Sequence, residues 1–177
     1  MSSPPVVILD ACVLINVLAS GRAQEILTGS GYSFGFCAVA SKESAVDANA
    51  PREAVELDPF VKSKCLTVYG LSGDAEQTLY VDYAADLDDG EAMTLALGFS
   101  RGYTVATDDR KARCIFLAYT GDATRLLSTP QILRRWSQSA RLTAGELKRL
   151  LLESFHRGRF SPRSDDVEFA WWSKAVI

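Results

Sequence analysis

The sequence contains a single histidine, His156, among its 177 residues. A Ser–His–Asp triad or a Cys–His pair would have to use that one side chain, and nothing in the sequence marks a partner for it. The phosphate-binding patterns GxxxxGK[ST] and GxGxxG are also missing. The composition therefore directs attention to carboxylates as the reactive groups.

Cysteine pairs, long apolar runs and an excess of basic charge are missing as well. The cysteines are scattered with no CxxC pair: Cys12, Cys37, Cys65 and Cys114. This spacing matches neither a zinc site nor a disulfide framework, so we expect a cytoplasmic protein. No apolar run approaches the roughly 20 residues that span a bilayer, and the first residues do not resemble a signal peptide, so no membrane partner is expected. The formal net charge of −3 means that phosphates of a nucleic-acid substrate would require local basic patches or metal ions.

Short apolar strands alternate with helical segments along the chain. Val6–Leu9 is a continuous apolar run, typical of a strand buried on both faces, and an apolar helix over residues 11–18 follows it. The alternation predicts an α/β fold, with a central parallel sheet covered by helices on both faces. We expect one such domain over residues 1–140, followed by a C-terminal helix and an aromatic tail over 141–177.

The remaining predicted elements come from periodicity and helix-start signals. Thr143 and Glu146 form a capping box, and Ser128 precedes a proline at the first position of another helix. Ser41 is a predicted N-cap that places Glu43 in the first turn of a helix. Further strands are predicted over 33–39, 66–71, 104–107 and 126–127, and further helices over 22–27, 52–57, 74–85, 90–101, 110–119, 130–139 and 144–156.

Acidic residues occur where predicted strands end and helices begin. Asp10 directly follows the first strand, and Asp108 and Asp109 follow strand 104–107. Glu91 lies in the first turn of an apolar helix. Each of these acids, taken alone, is also explained as a helix cap or as a partner of the helix dipole.

As a set, the acids indicate a metal-dependent reaction. Because strand ends and helix starts meet at one edge of a parallel sheet, we expect Asp10, Glu43, Glu91 and Asp108 to approach one another. Clustered carboxylates repel unless cations lie between them, and hard oxygen ligands prefer Mg²⁺ or Mn²⁺. Such clusters with one or two ions hydrolyse phosphodiester bonds.

The sequence resembles a PIN-domain nuclease, most closely the VapC-type toxins of bacterial toxin–antitoxin pairs. The resemblance rests on V-V-I-L-D-A-C-V-L-I-N, on Glu43, on L-D-D-G-E-A and on T-D-D-R-K-A-R, within residues 5–137. It implies a Mg²⁺- or Mn²⁺-dependent endoribonuclease with a five-stranded parallel sheet, an RNA substrate, a protein antitoxin and a homodimer. The implied acidic site consists of Asp10, Glu43, Glu91 and Asp108, with Asp89 and Asp109 as auxiliaries. The implied metal ligands are Asp10, Glu91, Asp108 and Asp109.

The sequence departs from the family after its first acid, where the family often has Thr, Ser or Asn. Ala11 and Cys12 follow Asp10 here, and Asn16 is the nearest polar side chain, one helical turn further on. Two other functions stay open: a catalytically silent module that binds RNA or protein, and a metal-dependent nuclease or phosphatase with another substrate. Four basic residues flank the acids and are either phosphate contacts or a solvated helix face: Arg101, Arg110, Lys111 and Arg113.

The last twenty residues carry more aromatic side chains than a free solvated tail would. Phe169, Trp171 and Trp172 need an apolar surface to cover. We therefore expect the tail to pack on its own domain, on a second copy or on an inhibitor, the alternative being a disordered terminus.

Overall fold

The computed structural model describes residues 3–38 and 57–177. Within these ranges, five strands form an all-parallel sheet in the order β3-β2-β1-β4-β5. The strands are β1 (Val6–Leu9), β2 (Ser33–Cys37), β3 (Leu66–Tyr69), β4 (Thr104–Ala106) and β5 (Leu126–Leu127). Glu43 and the helix predicted after Ser41 lie outside the described residues, as does most of the predicted helix over 52–57.

Helices flank this sheet, and the predicted α/β class with a parallel sheet is confirmed. The helices are α1 (Ala11–Ala19), α2 (Ala23–Gly29), α3 (Asp58–Lys62), α4 (Gly73–Ala84), α5 (Asp89–Ser100), α6 (Arg110–Thr120), α7 (Thr129–Ser139), α8 (Ala144–Gly158) and α9 (Phe169–Val176). Each strand and helix predicted within the described ranges is present, with ends that differ by a few residues. Helices α3 and α9 were not predicted, because short segments carry too little periodicity.

Strand β1 occupies the centre of the sheet. Its residues Val7, Ile8 and Leu9 are fully buried, as the continuous apolar run predicts. It pairs with β2 on one side and with β4 on the other. The chain continues outward from β1 to β2 and β3, and then returns to add β4 and β5 on the opposite side. The gap between the carboxyl ends of β1 and β4 is therefore the topological switch point, where open α/β sheets bind their ligands.

The helices form two layers. In one layer, α1 contacts α2, α7 and α8, and α2 contacts α7; in the other, α5 contacts α4 and α6. Helix α5 packs directly on β1, β2 and β4. This close approach depends on Gly98, since a Cβ there would lie 2.2 Å from Cγ2 of Val105. The first turn of α5, which carries Glu91, is thereby held against the centre of the sheet.

The aromatic tail packs on its own domain, which is one of the three arrangements expected from the sequence. Helix α9 contacts α8, and Trp172 is only 4% exposed. The ring of Phe160 meets Trp172 edge to face, with centroids 5.5 Å apart. Among the described residues, no helix is both long enough and apolar enough to cross a membrane.

Candidate functional site at the carboxyl edge of the sheet

Asp10 lies at the carboxyl end of β1 and caps α1. Its backbone is extended, with φ −70° and ψ 156°, and its Oδ1 accepts a 2.7 Å hydrogen bond from the backbone N–H of Ala11. The backbone N–H of Asp10 donates to the carbonyl of Ala106 at 2.9 Å, which ties the site to β4. The capping explanation and the location at a strand end are therefore both correct for this residue.

Two side chains hold the other oxygen of Asp10. Oδ2 accepts hydrogen bonds from the hydroxyl of Thr107 at 2.8 Å and from the thiol of Cys12 at 3.1 Å. Burial raises the pKa of the Asp10 carboxyl, and these donors counteract that effect. The hydroxyl that the sequence lacks immediately after Asp10 is thus replaced by donors from Cys12 and from the end of β4.

Asp108 faces the start of α7. Its Oδ2 accepts from the hydroxyl of Thr129 at 2.6 Å and from Nδ2 of Asn16 at 3.1 Å, while its Oδ1 accepts from the backbone N–H of Thr129 at 2.9 Å. Burial raises the pKa of the Asp108 carboxyl, and these hydrogen bonds oppose the rise. Asn16, noted in the sequence for its proximity to Asp10, therefore orients Asp108.

Asp88 and Glu91 lie at the start of α5. Asp88 is the N-cap, and its Oδ1 accepts a 2.8 Å hydrogen bond from the backbone N–H of Glu91. The cap therefore uses the backbone N–H of Glu91 and not its half-buried carboxylate. Asp89 is exposed at the start of the same helix and accepts a 2.9 Å hydrogen bond from the hydroxyl of Tyr80.

The acids act on one another electrostatically at this edge. Burial, followed by the charges of Asp88, Asp10 and Asp109, raises the pKa of Glu91 to about 7. Asp109 caps α6, with its Oδ1 2.8 Å from the backbone N–H of Ala112. No lysine, arginine or histidine of the described chain forms an ion pair with any of these four acids. The charges of Asp10 and Asp109 thus act on Glu91, none of these three acids has an ion pair among the described residues, and Asp108 is directed toward the start of α7.

The residues of this site have the chemistry that binds a divalent cation, but the described residues do not form a complete set of ligands around one position. Carboxylate oxygens are the ligands that Mg²⁺ and Mn²⁺ prefer. The raised pKa of Glu91 reflects burial first and then repulsion from neighbouring acids, and a cation would relieve that repulsion. Over residues 3–38 and 57–177, however, no group of three or more His, Cys, Asp or Glu side chains is placed to hold an ion. Glu43, the remaining predicted acid, lies outside those ranges.

Two of the four flanking basic residues form ion pairs with acids outside the site. Nε of Arg101 lies 2.7 Å from Oε1 of Glu76, and Nζ of Lys111 lies 3.1 Å from Oδ1 of Asp86. For both of these, the solvated or ion-paired helix face is the better explanation. Arg113 donates to backbone carbonyls, and Arg110 is exposed with no hydrogen bond or ion pair within the described residues.

Sequence reasoning missed Thr107 and Thr129 as parts of this site. Thr107 was assigned to the strand on its β-branched character, and Thr129 to a helix start. The available signal was their position, since Thr107 lies between β4 and Asp108 and Thr129 lies two residues after β5 on the same edge. A comparison of the chain with protein-family models, with curated proteins and with solved structures finds no match in any of the three.

Proposed function

We propose that the protein is a Mg²⁺- or Mn²⁺-dependent endoribonuclease of the PIN-domain type, acting as the toxin of a toxin–antitoxin pair. The proposal is supported by the location of Asp10 and Asp109 after β1 and β4 and of Glu91 in the first turn of α5, where the charges of Asp10 and Asp109 act on Glu91. Within the described chain, none of the three acids forms an ion pair. Unpaired carboxylates in such a place are costly to a fold, and functional sites are where such cost is commonly found.

We assign a separate role to each acidic residue of the site. Asp10, Glu91 and Asp109 would hold the cation, with Glu43 as the predicted further acid. Asp108 keeps its carboxylate on Thr129 and so fixes the start of α7 beside the site. When bound, a divalent cation supplies charge stabilisation to the phosphodiester and lowers the pKa of water.

Thr107 and Cys12 orient Asp10 through hydrogen bonds to Oδ2, while Oδ1 is held by the N–H of Ala11. Because both oxygens are restrained, the carboxylate is positioned before any ligand arrives. This preorganisation is what a site for charge stabilisation requires.

Incubation of the purified protein with single-stranded RNA or DNA, in Mn²⁺, Mg²⁺ or EDTA, tests the proposal. We expect cleavage of RNA with either metal and none in EDTA. Asp10→Asn should abolish the cleavage, whereas Asp82→Asn, an exposed acid on α4, should not. Equal cleavage of DNA would favour a nuclease of other specificity. RNA binding with no cleavage in either metal would contradict the enzyme and favour a silent binding module.

A toxin of this kind requires an inhibitor, and the site has the charge to receive one. A basic side chain of a partner protein placed among Asp10, Glu91 and Asp109 would substitute for the metal charge. We expect a small protein that co-purifies from the native source and suppresses cleavage, and a homodimer by the same resemblance. Harmless expression of the chain alone, with no partner recovered, would favour an RNA-processing nuclease instead.

A further inference from the structure

A cavity of about 420 Å³ adjoins the carboxylates on the side of Asp108. Its inner end is formed by Asp108 and Ser128, which follow β4 and β5, and one wall is formed by α6. The opposite wall is residues 160–167, from the tail that lies beyond the region of family resemblance. The cavity therefore exists only because the tail returns to the carboxyl edge of the sheet.

Side-chain contacts hold the wall formed by residues 160–167 in place. Trp172 is buried, and Phe160 packs on it edge to face. Glu168 forms an ion pair with Arg134 of α7, and the guanidinium of Arg134 lies 5.8 Å from the ring centroid of Trp171. Because α9 is held to both α7 and α8, the segment that precedes it is fixed opposite α6.

The cavity combines apolar surface with a fixed cation. Leu117 of α6 and Val167 of the tail line it and remain 41% and 75% exposed. Arg113 also lines it, and its Nη1 donates to the carbonyls of Thr107 at 3.0 Å and Leu127 at 2.9 Å. A guanidinium held in this way keeps its charge and its flat face, which suits a planar ring and an anion.

The charged residues of the lining are three acids and three arginines: Asp108, Asp165, Asp166, Arg110, Arg113 and Arg163. Asp165 pairs with Arg163 at 3.0 Å, and Oδ1 of Asp166 accepts from the backbone N–H of Glu168 at 2.7 Å. Asp108 is committed to Thr129, as described above. Within the described chain, Arg110 and Arg113 form no ion pair with a carboxylate, so their guanidinium groups are open to an anion.

We propose that this cavity binds one nucleotide of the RNA next to the bond that is cleaved. The base lies against Leu117 and Phe160, and the phosphate lies toward Arg110 and Arg113. The volume suits such a ligand, since small-molecule sites of this kind enclose roughly 300–1,000 Å³. The inference rests on the proposed function, and it assigns to the C-terminal tail a role in substrate selection.

The cavity can be tested separately from cleavage by measuring the binding of mononucleotides to a variant that does not cleave RNA. The full-length Asp10→Asn chain is titrated with each of the four ribonucleoside 5′-monophosphates and with inorganic phosphate, by calorimetry or by chemical-shift changes. We expect at least one nucleotide to bind more tightly than phosphate. Added to that chain, Leu117→Trp should weaken this binding by about tenfold or more by filling the cavity, whereas Ala118→Trp on the same helix should not.

A charge variant keeps the test informative if the bulky variant does not fold. Arg110→Ala, at an exposed position, should weaken nucleotide binding by about tenfold, the usual effect of losing a charge-assisted hydrogen bond. Arg149→Ala on α8 is the matched control. Equal binding of phosphate and nucleotides, or nucleotide binding unchanged in both Leu117→Trp and Arg110→Ala, would overturn the proposal.

Parallel cleavage assays on the chain with Asp10 intact separate the two proposals. RNA cleavage with unchanged KM in Leu117→Trp and Arg110→Ala would overturn the subsite and leave the nuclease standing. Nucleotide binding in the cavity without RNA cleavage would support nucleotide recognition by the cavity but overturn the nuclease and, with it, the cavity's place beside a cleaved bond. Tighter binding of an acidic peptide than of any nucleotide would assign the cavity to a protein partner and overturn the subsite.

Discussion

The hydroxyl of Thr107 donates a 2.8 Å hydrogen bond to Oδ2 of Asp10, joining the ends of β4 and β1 across 97 positions of sequence. The same hydroxyl accepts from the backbone N–H of Asp109 at 3.1 Å. One side chain therefore sets the positions of two of the acids. The carboxyl edge is organised by this contact between adjacent parallel strands.

The substitution Asp10→Asn should distinguish a metal-ligand role of Asp10 from a helix-capping role. Asn caps helices as well as Asp does, so folding should survive and the melting temperature in EDTA should equal or exceed that of wild type. The rate of RNA cleavage should fall by more than the roughly 10–100-fold that loss of an outer partner costs a metal site. The stabilisation produced by Mn²⁺ in thermal melts should disappear. Wild-type cleavage and an unchanged Mn²⁺ shift would contradict the assignment.

Asp108→Asn and Asp109→Asn should have different effects. Asp108 accepts three hydrogen bonds from Thr129 and Asn16, and an amide cannot accept them all, so a stability loss of about 1–3 kcal/mol is expected. Asp109→Asn preserves the cap on Ala112 and should lose cleavage with little loss of stability. Denaturant unfolding with cleavage assays distinguishes them. If Asp108→Asn alone lost cleavage at wild-type stability, Asp108 would be the ligand.

Glu91→Gln should change how stability depends on pH in metal-free protein. The folded-state pKa of about 7 lies above the ordinary 4.5, so the folded protein binds more protons than the unfolded chain between these values. Wild-type stability should therefore fall as pH rises through this window. Glu91→Gln should match wild type near pH 4 and exceed it above pH 7, by on the order of 1–3 kcal/mol.

Glu76→Gln provides a control, because the pKa of Glu76 is lowered by folding whereas that of Glu91 is raised. Hydrogen bonds from Arg101 lower the pKa of Glu76 to about 2, so its contribution to stability is present above the unfolded pKa and is lost as pH falls through 2. This variant should be less stable than wild type at pH 7. Parallel pH profiles for both variants would contradict the assignment of Glu91 to an unneutralised acidic region.

Gly98→Ala should destabilise the protein by about 1–3 kcal/mol through overpacking between α5 and β4. The new Cβ would lie 2.2 Å from Cγ2 of Val105, so the helix that carries Glu91 would have to shift. The double variant with Val105→Ala should recover part of the loss. Gly145→Ala, in open space on α8, should be neutral or stabilising. Urea midpoints measure all three, and a neutral Gly98→Ala would contradict the close approach.

The sequence by itself determined the strands, most helices and the acids at their ends. Val6–Leu9 is apolar throughout, which only a doubly buried strand accommodates, and Asp10 must then lie at its tip. The capping box of Thr143 and Glu146 was equally readable, since its two residues act within four positions of each other. Local hydrogen bonds and periodicity carry this information, and neither requires contact between distant parts of the chain.

The tertiary structure alone decided which side chains meet across the edge. The contacts of Thr107 with Asp10 and of Asn16 with Asp108 span more than ninety positions, and they arise because β1 and β4 are neighbours. The strand order depends on the summed packing of both helical layers, which no local pattern encodes. The return of the tail to α6 is decided in the same way, since burying Trp172 requires a surface that exists only after α8 has docked.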